Sequence, residues 1–110
     1  MYLNYDGQRY EIQRAIIDDA GSGDNELVAA VTNKQIVVIH YSMIASAAVN
    51  ARFESGAGGD ALTGQMNLTT NSGISDRFEK GLFETNAGES LNLELSGAVS
   101  VDGYLSYILV

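Results

Sequence analysis

The chain has 110 residues, 45% of them hydrophobic, with no cysteine, no proline and a formal charge of −8 from six Lys+Arg against fourteen Asp+Glu. That length and apolar content suit one domain with a buried core. The lack of cysteine excludes disulfides and thiolate metal sites within these residues. The acidic balance argues against nucleic-acid binding, which calls for a basic stripe or patch. No apolar run approaches the ~18 residues of a membrane-spanning helix, so no membrane partner is expected either.

The opening residues, MYLNYDGQRYE, lack the basic start and apolar core of a signal peptide, which predicts a product left in the cytoplasm that makes it unless something other than Sec export releases it. Residues 2–5 and 8–13, separated by Asp6-Gly7, predict an N-terminal hairpin. Residues 14–18 continue apolar through Ile16 and Ile17, and the acidic, glycine-containing stretch 18–26 reads as a loop. A short strand over 27–31 and a turn at 32–34 lead into the longest apolar run, 35–43. Ile36, Val37, Val38 and Ile39 place apolar side chains on both faces. This strand is therefore expected to be central, with a neighbouring subunit as one candidate cover.

Residues 43–52 are alanine-rich enough to compete as a helix, but their flanks favour strands that turn at Ala45-Ser46. Val49, Ala51 and Phe53 then alternate with Asn50, Arg52 and Glu54. A loop tip at 55–60, a strand at 65–70, a turn at 71–73 and an irregular strand over 74–83 follow. The chain closes on two period-2 runs, the first carrying Leu91, Leu93 and Leu95. Within the second, residues 99–110, Asp102-Gly103 predicts a hairpin turn. There Leu105, Tyr107 and Leu109 share one face, while Ile108 and Val110 form a second apolar face that predicts subunit contact. About eight or nine short strands, with turns at this spacing, predict a single-domain antiparallel β-sandwich.

Motifs with chemistry are sparse. His40, the single histidine, lies in the apolar run with no nucleophile pattern around it and reads as a core or interface residue. Asp18, Asp19, Asp24 and Glu26 could offer oxygens to calcium, but their spacing is not that of an EF-hand and the stretch is ordinary turn chemistry. Gly56, Gly58 and Gly59 lack the GK[ST] ending of a phosphate loop. Glu79 and Glu84 could in principle serve as an acid and base for glycoside hydrolysis, yet carboxylates are common along this chain. No catalytic residue, metal ligand or cofactor is expected, and no enzyme. Tyr2, Tyr5 and Tyr10 crowd the N-terminus beside Leu3 and Ile12, and tyrosine is enriched at contact surfaces. The interface candidates are thus Tyr2, Leu3, Tyr5, Tyr10, Ile108 and Val110. The chain divides into a contact segment, 1–13, and a sandwich, 14–110.

In strand-and-turn pattern, residues 14–31, 61–73 and 82–110 resemble small proteins encoded among the virion genes of tailed bacteriophages, of the capsid decoration or cement type. The resemblance implies a jelly-roll-like sandwich and a structural virion role. Such a protein would be a homo-oligomer, as a trimer, made in the host cytoplasm. It would bind the major capsid protein lattice at the capsid surface and stabilise the head, with the N-terminal tyrosines as its grip. The alternative is a receptor- or carbohydrate-binding module of a phage fibre or tail, disfavoured because loops 18–26, 55–60 and 71–76 hold no aromatic residue.

Overall fold

A computed structural model describes residues 1–110 and contains strands and turns with no helix. In chain order the strands are β1 (Tyr2–Tyr5), β2 (Gln8–Glu11), β3 (Gln13–Asp19), β4 (Gly23–Val28), β5 (Ile36–Ala45) and β6 (Val49–Ser55). They continue with β7 (Asp60–Ala61), β8 (Met66–Leu68), β9 (Gly73–Arg77), β10 (Phe83–Glu84), β11 (Leu91–Leu95) and β12 (Val101–Leu109). One sheet runs β10-β5-β12-β3 with β9 also on β5; the other runs β4-β11-β6-β7 with β8 also on β6; β1 and β2 pair with each other. Every pairing is antiparallel. The pairs are nested: β3 with β12, β4 with β11, β5 with β9 and β6 with β8. A long hairpin is rolled so that its halves cross between two sheets, which is the jelly-roll plan. The all-β sandwich follows from the alternation in sequence, and the strand count rises to twelve because pieces of two or three residues form at the sheet edges.

The interior is what the period-2 runs dictate. Leu91, Leu93 and Leu95 of β11 and Val49, Ala51 and Phe53 of β6 face Tyr41, Met43 and Ala45 of β5 and Val101 and Leu105 of β12, all buried. Phe53 meets Tyr41 edge-on at 5.1 Å between centroids and Phe83 at a tilt at 5.0 Å. Each such side chain contributes about 1.5–3 kcal/mol by leaving water. A bulge at Ser106/Tyr107 shifts the β12–β5 register. Val37, Ile39 and Ile108 thereby form a second apolar cluster, against which Leu3, Tyr5, Tyr10, Ile12 and Val110 pack. The longest apolar run is thus covered on both faces, and its outer cover is the chain's own β1–β2 hairpin.

Three local expectations are corrected. Asp102-Gly103 makes no turn: β12 runs straight through it, pairing Asp102 with Asp18 and Gly103 with Ile17. Glycine stands at 103 because a Cβ there would lie 1.9 Å from the Ser42 carbonyl oxygen, so its purpose is close strand approach. The 18–26 stretch is not a loop. β3 reaches Asp19 and β4 begins at Gly23, with Asp24, Asn25 and Glu26 laddered against β11. Asn25 Nδ2 also donates to the carbonyls of Gly21 and Leu93, at 2.9 and 3.3 Å, which holds the polar strand in place. Finally, the irregular 74–83 segment is two strands, β9 and β10, both on β5, bridged by Phe78 N–H to Ile39 O and Leu82 N–H to Val38 O.

Candidate functional site

The outer face of the β3–β12–β5 sheet carries the most organised surface of the molecule. On β3, Arg14, Ile16 and Asp18 point outward; their partners on β12 are Ser106, Tyr104 and Asp102. The β1–β2 hairpin covers only part of this face, leaving Ile16 75% and Ile44 48% exposed. Beside the hairpin is a groove of about 780 Å³ whose wall includes Tyr2, Arg14, His40, Arg77, Lys80 and Tyr104. Three of the chain's six basic residues therefore meet in one groove, with Glu79 its single carboxylate. Glu79 pairs with Arg77 at 3.5 Å, both largely in solvent. Arg14 lies over the Tyr104 ring at 4.9 Å, and Arg9, outside the groove lining, lies over Tyr2 at 4.1 Å, so these two guanidiniums are each held on an aromatic face. His40 is no core residue; half-buried, it stacks edge-on to Tyr104 at 5.1 Å on this outer face.

At the other end of the same strand pair the charge reverses. Asp18 and Asp102 are direct cross-strand partners and Asp19 is the next residue along. Burial, then the neighbouring carboxylates, raises the Asp19 carboxyl, and its Oδ2 has no hydrogen-bond partner. Burial and Asp18 likewise raise Asp102. Like charges opposed across a ladder are destabilising, and no basic side chain lies within ion-pair distance of them. The basic and acidic ends are separated by four residues of β3, about 13 Å.

The interface candidates fall into two groups. Tyr2 is 54% exposed at the rim of the groove. Leu3, Tyr5, Tyr10 and Val110 are half-buried in the cluster beneath the hairpin, and Ile108 is fully buried there. The second apolar face of the last strand is therefore occupied within the chain. The acidic candidates for metal binding are split between sheets, Asp18 and Asp19 on β3 and Asp24 and Glu26 on β4. Glu79 and Glu84 engage separate partners, Arg77 and the Tyr5 hydroxyl, the latter at 3.5 Å. The basic groove was not read from sequence, because Arg14, His40, Arg77 and Lys80 come from three separate strands and a loop.

The sequence matches no protein-family model, and no curated protein matches it. Among solved structures, the chain is similar to a protein from work on Bacillus endospore appendages, described as forming a novel family of disulfide-linked pili. The TM-score is 0.55 at 13% identity, over 99% of this chain and 88% of that one. This likeness overturns the phage reading in both its forms, decoration protein and fibre or tail module. The major capsid protein as partner and the virion as location fall with it. The earlier resemblance rested on strand-and-turn pattern, which specifies a sandwich, and one sandwich hosts many unrelated roles. At this identity the shared property is the fold: the chain is a jelly-roll sandwich of the kind found in a spore-appendage pilus protein.

Proposed function

We propose that the chain is a non-enzymatic structural subunit that assembles with copies of itself into a fibre, in a surface appendage. The observation that carries this is the segregation of charge along one sheet face. A basic, aromatic groove lies at one end and an uncompensated Asp18/Asp102 pair at the other, with exposed Ile16 between them and exposed Ile44 beside Asp102. A groove on one copy that receives the acidic end of the next is a heterologous contact, and such contacts repeat into open filaments. The pilus protein of similar fold supports the polymer, although its pili are disulfide-linked and these 110 residues contain no cysteine. Cohesion here would rest on non-covalent complementarity, which also makes it salt-sensitive.

The test is the assembly state of the purified chain by sedimentation and negative-stain imaging, across concentration and salt. Filaments that shorten as salt rises are expected. The paired reversals Arg14→Glu/Lys80→Glu and Asp18→Lys/Asp102→Lys should each block growth, and their combination should restore it; all four positions are exposed. A monomer at every concentration, or a closed dimer that grows no further, overturns the fibre reading.

A further inference from the structure

On the outer face of the second sheet, three strands bring three carboxylates together. Glu94 of β11 is the register partner of Asp24 on β4 and of Arg52 on β6, and Glu54 is the next outward residue along β6. Carboxylate oxygens of Asp24, Glu54 and Glu94 all lie within 4.8 Å of one another. Opposite oxygens around one calcium ion are about 5 Å apart, since each sits 2.3–2.6 Å from the metal. The spread therefore fits a single ion.

Glu54 supplies an independent observation. It points away from the sandwich core, yet its side chain is 0% exposed. Its Oε2 accepts from Arg52 Nε at 2.9 Å and Nη2 at 2.8 Å, while Oε1 has no hydrogen-bond partner. The groups that face it are Asp24 from β4, Glu94 from β11 and Arg52 from its own strand. With all three carboxyls ionised, Asp24 and Glu94 are acceptors only, so that oxygen is satisfied either by a proton that it donates to Asp24 or by a cation. Arg52 also reaches Glu94 Oε1 at 3.0 Å, so one guanidinium serves two of the three negative charges. A cation on the side that Arg52 does not occupy would balance the charge that the guanidinium leaves.

We propose that Asp24, Glu54 and Glu94 form a divalent-cation site suited to calcium, with Arg52 as the residue that positions both glutamates. Hard oxygen ligands on separate strands match calcium's tolerant geometry better than the strict octahedron of magnesium. The glycine-rich connection after β6 approaches the cluster as well: a Cβ on Gly58 would be 3.9 Å from Asp24 Oδ2. Backbone is thus at hand beside the exposed ligand. Burial, reinforced by Asp24 and Glu94, pushes the Glu54 carboxyl up to about 7. The site is independent of the fibre reading and lies on the opposite sheet from the groove.

The experiment is a titration of the full chain, stripped with chelator, by calcium and by magnesium at slightly alkaline pH, read by calorimetry and thermal unfolding. Calcium should bind with a Kd of about 10⁻⁴–10⁻³ M and raise Tm by about 5–10 °C at roughly 10 mM. Magnesium should bind about tenfold more weakly. Glu54→Gln and the exposed-site variant Asp24→Asn should each weaken calcium at least ~10-fold, while Asp18→Asn on the other sheet leaves it unchanged. A wild-type Tm that does not respond to calcium, with Glu54→Gln as stable as wild type, would identify a carboxyl pair that shares a proton and overturn the cation site. Asp24→Asn binding calcium as wild type does would overturn it too, whether or not Glu54→Gln folds.

Discussion

At the scale of single residues, the sharpest constraints come from groups that look unremarkable in the sequence. Gly103 is one: Asp-Gly suggests a turn, yet the glycine is there because the Ser42 carbonyl occupies the space a Cβ would need. Gly103→Ala should therefore destabilise the sandwich by about 3 kcal/mol or more, read as a lower midpoint in urea unfolding. Asp102 is the other. Its carboxyl is raised by burial and by Asp18, as Asp19 is by burial and both neighbours. A raised folded-state carboxyl binds protons more tightly than the unfolded chain does. Its contribution to stability is thus complete below the ordinary carboxylate range, about pH 4, and is lost as pH climbs through the raised value. Asp102→Asn should accordingly raise Tm at neutral pH, with the gain fading towards pH 3, where the Asp102 carboxyl is largely protonated in both states. A gain that is equal at both pH values would disprove the charge origin.

The element that most changes the reading is the N-terminal hairpin. Leu3, Tyr5 and Tyr10 suggested a surface for another protein, but they lie on Val37, Ile39 and Ile108 of the same chain. Tyr5 also donates to Glu84 across the chain at 3.5 Å, and Ile12 N–H bonds the Met1 carbonyl at 2.9 Å within the hairpin. Removal of residues 1–12 should uncover that cluster, lower Tm by about 10 °C, and make the truncated sandwich bind a hydrophobic dye. A truncated chain as stable and as dye-silent as the whole would show that the hairpin is dispensable cover. The same element builds one wall of the basic groove through Tyr2, so truncation should also impair assembly.

For the whole molecule, the separation of charge matters more than its total. A net −8 would keep copies apart if it were spread evenly. Instead Arg14, Arg77 and Lys80 gather in one groove while Asp18, Asp19 and Asp102 gather at the far end of the β3–β12 pair. With a long axis of 41 Å against 24 and 20 Å, the molecule is elongated. Assembly that collapses above about 0.5 M salt is the expected signature, because exposed pairs are screened within a few ångströms there. Calcium would act on the opposite sheet, so it should stiffen each unit without joining one unit to the next.

The residue order alone carries the class of fold. The alternation of Leu91, Leu93 and Leu95, of Val49, Ala51 and Phe53, and the doubly apolar run 36–39 can bury their side chains only as strands in a layered sandwich, since side-chain period is a local property. It also excluded disulfides and gave no catalytic pattern to follow. Tertiary structure decided the rest. Which strand lies beside which is a long-range matter, so the pairing of Asp102 with Asp18, the meeting of Arg14 with Arg77 and Lys80, and the convergence of Asp24, Glu54 and Glu94 had no sequence signal. Polar residues such as Asp24, Asn25 and Glu26 read as loop because composition reports exposure, whereas the β11 ladder made them a strand. Burial of Glu54 on an outward face is likewise invisible in one dimension, because it takes neighbouring strands and a crossing connection to close water out.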